Sequence, residues 1–268
     1  MRMASSFALS GLVFLAGAAV AQPQAPAPQA PRVAGYLGSA NLPEAARILS
    51  APPREGGERQ LQDLAVFRAT RALAGTPRWT MAQGDNDYAP AALMKHFGCA
   101  LGASLDSQTA PRLAVLLRRM TIDAGAAANS AKQVFQRKRP YLFTEGDICI
   151  AKSQGLADSP DYPSGHSSLG WTAGLILSEI SPERSTAIMA RARAFGDSRV
   201  ICGVHPPSAV EAGRATGSSV FAALHASPEF RADVEAARTE IQAARTAGRA
   251  PEPAACATES GLIAQVAF

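Results

Sequence analysis

Three short blocks of the sequence carry side chains suited to handling a phosphate group: KQVFQRKRP (132–140), YPSGHSSLGW (162–171) and SRVICGVHPPSAVEAGR (198–214). Lys132 and Arg139 stand seven apart, two turns of helix, which predicts both cations on one helical face. Pro140 is expected to end that helix just after Arg139. Pro163-Ser164-Gly165-His166 reads as a helix start. Unpaired N–H groups and a partial positive charge at such a terminus seat an anion. Gly165 allows close backbone approach, Ser164 can cap the helix or donate a hydrogen bond, and His166 can give a proton near neutral pH. Arg199 offers a planar fork that matches phosphate oxygens. His205 is a candidate nucleophile on phosphorus. A solvated basic face and an ordinary serine cap are the plain alternatives for the first two blocks taken singly. Together, the blocks supply cationic and N–H donors, a nucleophile and an acid, the parts that phosphoryl transfer to and from a side chain requires.

The blocks follow the order and internal spacing of the motif K-x6-RP, PSGH, SR-x5-H-x3-D, here Lys132…Arg139-Pro140, Pro163-Ser164-Gly165-His166 and Ser198-Arg199…His205. On these residues the chain resembles the bacterial class A non-specific acid phosphatases, of the type-2 phosphatidic acid phosphatase and vanadium haloperoxidase superfamily. The resemblance implies an all-α, single-domain helical bundle, exported to the periplasm. It implies hydrolysis of small phosphomonoesters with neither metal nor other cofactor, phosphate or vanadate being the anions the site accepts. It assigns Lys132, Arg139 and Arg199 to the phosphate oxygens, and Ser164 and Gly165 to the oxyanion cradle. His205 would attack phosphorus and become a phosphohistidine; His166 would protonate the leaving alcohol and then help activate water. A lipid phosphate phosphatase is disfavoured by the lack of membrane spans in the mature chain. A haloperoxidase is disfavoured by the chain length and the intact PSGH block.

One position departs from the motif. Ala209 stands where the family has an aspartate that orients the nucleophilic histidine. Disrupting the orienting acid of a protease triad costs about 10⁴-fold in rate. The expectation is therefore an intact anion site with reduced turnover; the second reading is a phosphate-binding pseudo-enzyme with negligible turnover. A backbone carbonyl or a water could recover part of the loss. Glu211, the nearest acid, reads as part of a Ser208-x-x-Glu211 capping box. It lies about 200° round the helix from position 209, facing elsewhere. Pro206-Pro207 also departs from the family texture.

The elements that must position these residues are helices. The chain has 268 residues, 47% of them apolar, and a net charge of +4, enough for a large core and too mild to point to nucleic acid. Residues 1–21 read as a signal peptide ending in Ala19-Val20-Ala21. Residues 22–32 read as a Pro/Ala-rich linker, 33–250 as the helical domain, and 251–268 as a tail that Cys256 could pin. Helices are expected over 58–74, over 89–103, from a Thr109 cap towards Lys132, from Ser164 with the stripe Leu169, Thr172, Ala173, Ile176, Leu177 and Ile180, from Pro182, and from Pro228 to near Gly248. Cys99, Cys149, Cys202 and Cys256 form an even set in an exported chain, so disulfides are expected, with all three pairings open. His96 and His225 read as structural; Asp85, Asp87 and Asp106 lack ligand spacing and receive no role. Self-association into a homo-oligomer is left open.

Overall fold

The computed structural model describes residues 33–264. The expected leader at 1–21, the expected linker at 22–32 and the last four residues of the expected tail lie outside them. Helical spacing of apolar residues is realised as eleven α-helices, with no strand among the described residues. In order these are α1 (Ala45–Ile48), α2 (Glu58–Thr70), α3 (Pro77–Gly84), α4 (Pro90–Leu101), α5 (Pro111–Phe135), α6 (Gln154–Asp158), α7 (Gly165–Ile180), α8 (Ser185–Ile201), α9 (Pro207–Leu224), α10 (Pro228–Thr246) and α11 (Pro253–Ala264).

The core is built from the facing stripes of α4, α5, α7, α8, α9 and α10. Leu113, Leu116, Leu117, Met120, Ala124 and Ala127 make one buried face of α5, which runs unbroken through Gly125. Thr109 does not cap it. Its side chain closes a turn with Asp106, and Ala110 is the residue before the helix. On α7 every member of the expected stripe is buried. The segment opening at Pro182 begins as a 3₁₀ turn, Pro182–Arg184, and becomes α-helical only at Ser185.

Helix direction decides where the chemistry collects. Gly170 and Gly174 of α7 lie against Phe195 and Ala192 of α8, so these two helices run antiparallel. Gly213 and Gly217 of α9 lie against Ser164 and Ser168, so α9 runs parallel to α7. A Cβ on Gly213 or Gly217 would come within 2.5 Å of a backbone oxygen of α7, so this approach requires glycine. The start of α7, the end of α8 and the start of α9 therefore meet at one end of the bundle. The last turn of α5, carrying Lys132, joins them there.

Two disulfides tie the periphery to this frame. Cys149–Cys202 fastens the 146–152 segment to the turn after α8, and Cys149 N donates to Cys202 O at 3.0 Å. Cys99–Cys256 fastens α11, the stretch read as a tail, to the end of α4. No helix among the described residues is long and apolar enough to cross a membrane.

Candidate active site

Lys132, Arg139, Gly165, His166, Arg199 and His205 line a single cavity of about 510 Å³. Six positions from three separate blocks thus converge. The three cations are each 5% exposed or less.

Lys132 sits in the last turn of α5, where the helix dipole favours a cation. Its Nζ donates to Ser159 Oγ at 3.1 Å. Arg139 does not share its helical face. The helix ends at Phe135, and Gln136 takes a left-handed conformation at φ 49° with its N–H returned to Lys132 O. Arg139 lies on extended backbone beyond that stop, and Pro140 opens a short 3₁₀ turn after it. The seven-residue spacing works through a chain reversal rather than two helical turns. Arg139 reaches Ser159 O at 2.8 Å through Nε and Val204 O at 2.9 Å through Nη1. Burial, and then the neighbouring Arg139, lower the Lys132 ammonium to about 8, with Asp161 opposing the shift.

Arg199 and His205 are joined by one tight turn. Gly203 adopts φ 81°, and Val204 N and His205 N both return to Arg199 O, at 3.2 and 3.3 Å. Arg71 caps the end of the helix, donating to Ile201 O at 2.6 Å. Arg199 is 1% exposed, and its Nε and Nη1 find no hydrogen-bond partner among the described residues. Leaving such donors buried and unpaired is costly; an anion in the cavity would satisfy them.

The His205 tautomer follows from its two partners. Nδ1 lies 2.7 Å from Asp161 O, a group that only accepts, so Nδ1 carries the proton. Nε2 lies 3.1 Å from Arg139 Nη1, a group that only donates, so Nε2 keeps its lone pair. Burial first, then the three cations, push the ring well below its ordinary pKa, so it stands neutral. A neutral imidazole with Nε2 unprotonated is the nucleophilic form, once substrate oxygens take over the Arg139 N–H that Nε2 now accepts.

His166 projects from the first turn of α7. Its Nε2 donates to Asn86 O at 3.0 Å, and Tyr88 packs nearly perpendicular to the ring with centroids 4.8 Å apart. Nδ1 is therefore the nitrogen left to exchange a proton. Burial, with Arg199, Lys132 and Arg139 nearby, also holds this ring well below its usual range. Ser164 is the helix cap: its Oγ accepts from Ser167 N at 3.3 Å, and it does not line the cavity. Its peptide N–H donates to Ala209 O at 2.9 Å, locking the starts of α7 and α9 together.

The PAP2 superfamily matches residues 113–233. An acid phosphatase of Zymomonas mobilis is 39% identical over 212 residues, 79% of this chain and 80% of its own. Non-specific acid phosphatases of Providencia stuartii and Salmonella typhimurium are 37% and 32% identical, covering 76% and 72% of this chain and 84% and 78% of theirs. The chain belongs to the bacterial non-specific acid phosphatases of the PAP2 superfamily.

In this acid phosphatase the position of the departure is not a hole. Ala209 is fully buried among Tyr162 and Ala212, with Leu49 and Phe135 against them. The capping box does not form. Pro206 precedes the helix, Ser208 binds Asp63 instead, and Glu211 pairs with Arg214, away from His205. The backbone carbonyl of Asp161 occupies the hydrogen-bonding role that Ala209 cannot fill.

Three residues of the phosphatase site were invisible in the sequence. Ser159 binds both Lys132 and Arg139. Asp161 holds His205. Asp85 is buried, accepts from Ser198 Oγ at 2.6 Å and pairs with Arg191, while Arg78 donates to the same Ser198 at 2.9 Å. Its neighbour Asn86 holds His166, and Ser198 precedes Arg199, so Asp85 couples the two halves of the site. Asp85→Ala leaves two buried guanidiniums short of their counter-charge. It is expected to lower stability by about 3–5 kcal/mol in denaturant unfolding, while Asp87→Ala, which loses only an exposed hydrogen bond from Ala89 N, is expected to cost about 1 kcal/mol.

Proposed function

We propose that this phosphatase hydrolyses small soluble phosphomonoesters through a phosphohistidine on His205. Lys132, Arg139, Arg199 and the Gly165 end of α7 hold the phosphate oxygens. Nε2 of His205 attacks phosphorus, the ester P–O bond breaks, and His166 Nδ1 gives its proton to the departing alkoxide. Water then attacks the phosphohistidine, returns a proton to His166, and inorganic phosphate leaves. Every step is assigned to protein groups. A bound phosphate dianion offsets the three cations and raises the His166 ring towards the range where it can carry that proton.

The observation that carries this reading is the fixed neutral tautomer of His205 beside an unpartnered buried Arg199. It also weighs against the pseudo-enzyme, because Nδ1 is held despite Ala209. Export rests on the leader-like residues 1–21 and is supported by two disulfides, which persist in oxidising compartments.

The test is base-quenched single turnover with a ³²P-labelled aryl phosphate, since phosphohistidine survives alkali. Label on the peptide containing His205 is expected, with kcat/KM falling above about pH 8 as Lys132 loses its charge. Burst-free turnover without label would overturn the phosphohistidine, and vanadate binding without turnover would favour the pseudo-enzyme.

A further inference from the structure

A neutral carbonyl can orient His205, but it brings no charge to balance the imidazolium that forms when Nε2 bonds to phosphorus. The residue that lends the carbonyl also carries a carboxylate. Asp161 is 1% exposed, and its Oδ1 accepts from Arg137 Nε at 2.5 Å. Its peptide N–H donates to Arg137 O at 2.8 Å, so one arginine grips Asp161 by main chain and side chain together.

The grip extends to the other side of the nucleophile. Arg137 Nη1 donates to Ser208 Oγ at 2.9 Å. Ser208 N donates to Asp63 Oδ1 at 3.1 Å, and Ser208 Oγ donates to Asp63 Oδ2. Asp63 Oδ2 lies 3.5 Å from Arg137 Nη1. Four segments thus join behind the Asp161 carbonyl: α2, the segment after α5, the segment before α7, and the first turn of α9. Burial raises the Asp161 carboxyl to about 6 against the pull of Arg137 and Arg139, so above that pH two carboxylates stand with Arg137 behind the carbonyl that holds Nδ1. Three cations stand on the Nε2 side. The charge separation runs in the direction a developing imidazolium needs. Asp161 also faces Arg139 and Lys132, and its carboxylate moderates both.

Resting on the phosphohistidine reading, we infer that Asp161, gripped by Arg137 and Asp63, is the positioning residue for His205 and supplies from a different segment the negative charge missing at position 209. It touches no substrate, so its support of His205 appears in kcat, while removing its charge from beside Arg139 and Lys132 does not weaken anion binding.

The experiment compares the parent, Asp161→Asn, Ala209→Asp and the double variant on an aryl phosphate, with vanadate inhibition measured alongside. Asp161→Asn keeps the carbonyl and the shape but removes the charge. Above about pH 6, where Asp161 is ionised, a fall in kcat of about 10- to 100-fold is expected, with vanadate inhibition no weaker than in the parent. Adding Ala209→Asp is expected to recover most of that loss, the coupling of a shared function. Unchanged kcat in Asp161→Asn, or an equal loss with and without Ala209→Asp, overturns the inference. Parallel loss of vanadate binding marks the network as structural only and overturns it as well. Arg137→Lys is the second variant should Asp161→Asn fail to fold, read by ¹⁵N NMR of His205. The parent should hold the proton on Nδ1 and the variant should populate both tautomers; identical spectra count against the grip. That reading does not need turnover, so a parent that hydrolyses nothing refutes the phosphatase mechanism while the tautomer still decides the role of Asp161.

Discussion

Replacing His205 by alanine is expected to lower kcat for an aryl phosphate by roughly 10⁵- to 10⁶-fold, the scale seen when a catalytic nucleophile is removed. Ala209→Asp in the parent is expected to change it by less than about tenfold, or 1.4 kcal/mol. The contrast follows from where each side chain sits. His205 Nε2 is the unprotonated ring nitrogen held against Arg139, and no other side chain is placed to take over its attack, since His166 is committed through Nε2 to Asn86 O. At position 209 the methyl group packs among Tyr162 and Ala212, and the bond an aspartate would make to Nδ1 is already made by Asp161 O. A new carboxylate there must be buried in an apolar contact for little gain in orientation. Steady-state kinetics on the three proteins at pH 4–8 measure both effects. If Ala209→Asp instead rises by orders of magnitude from a parent lying at the His205→Ala floor, the alanine has silenced the site and the carbonyl does not substitute.

His166→Ala is expected to cost about 10²- to 10⁴-fold with an alkyl phosphate and no more than about tenfold with a nitrophenyl phosphate. The difference tests the role and not merely the importance of the residue. An alkoxide cannot leave without a proton, whereas nitrophenolate can, so only the first substrate needs the acid. The geometry supports that assignment because Nε2 is committed to Asn86 O, which leaves Nδ1 for proton exchange. The low ring pKa, caused by burial and the three cations, adds a second expectation. Removing one cation by Arg199→Met should raise the His166 pKa, seen by NMR in the free protein. Equal losses with both substrates would mean that His166 binds phosphate rather than donating a proton.

Much of this site was legible because its pieces are local. A serine before a glycine and histidine marks a helix start, and α7 begins there with Ser164 as its cap. An arginine and histidine six apart, across a glycine, make a helix end and a turn, which is how Arg199 and His205 meet. The apolar stripe of α7 is read from spacing alone, and the start of α10 from the proline at its first helical position. Errors arose where a local signal had two solutions. The interval between Lys132 and Arg139 fits two helical turns, but Gln136 breaks the helix in a left-handed conformation that its side chain does not announce. Ser208 and Glu211 have capping-box spacing, but Asp63 from α2 competes successfully for Ser208. Asp85 looked like a loop carboxylate because its partners, Arg78, Arg191 and Ser198, lie on α3 and α8.

By itself the sequence pointed to the all-helical fold and to six of the positions that line the shared cavity, since residue type and short spacing carry that information; Ser164, also read as part of the cradle, is the helix cap instead. Which cysteines pair was decided only when α11 reached α4 and the 146–152 segment reached the turn after α8. The support for His205 was decided at the same level. Every residue has a carbonyl, so no residue type marks the one that will be used. Asp161 O becomes the acceptor for Nδ1 only because packing brings the approach to α7 against the start of α9, and long-range proximity of that kind leaves no pattern in the chain.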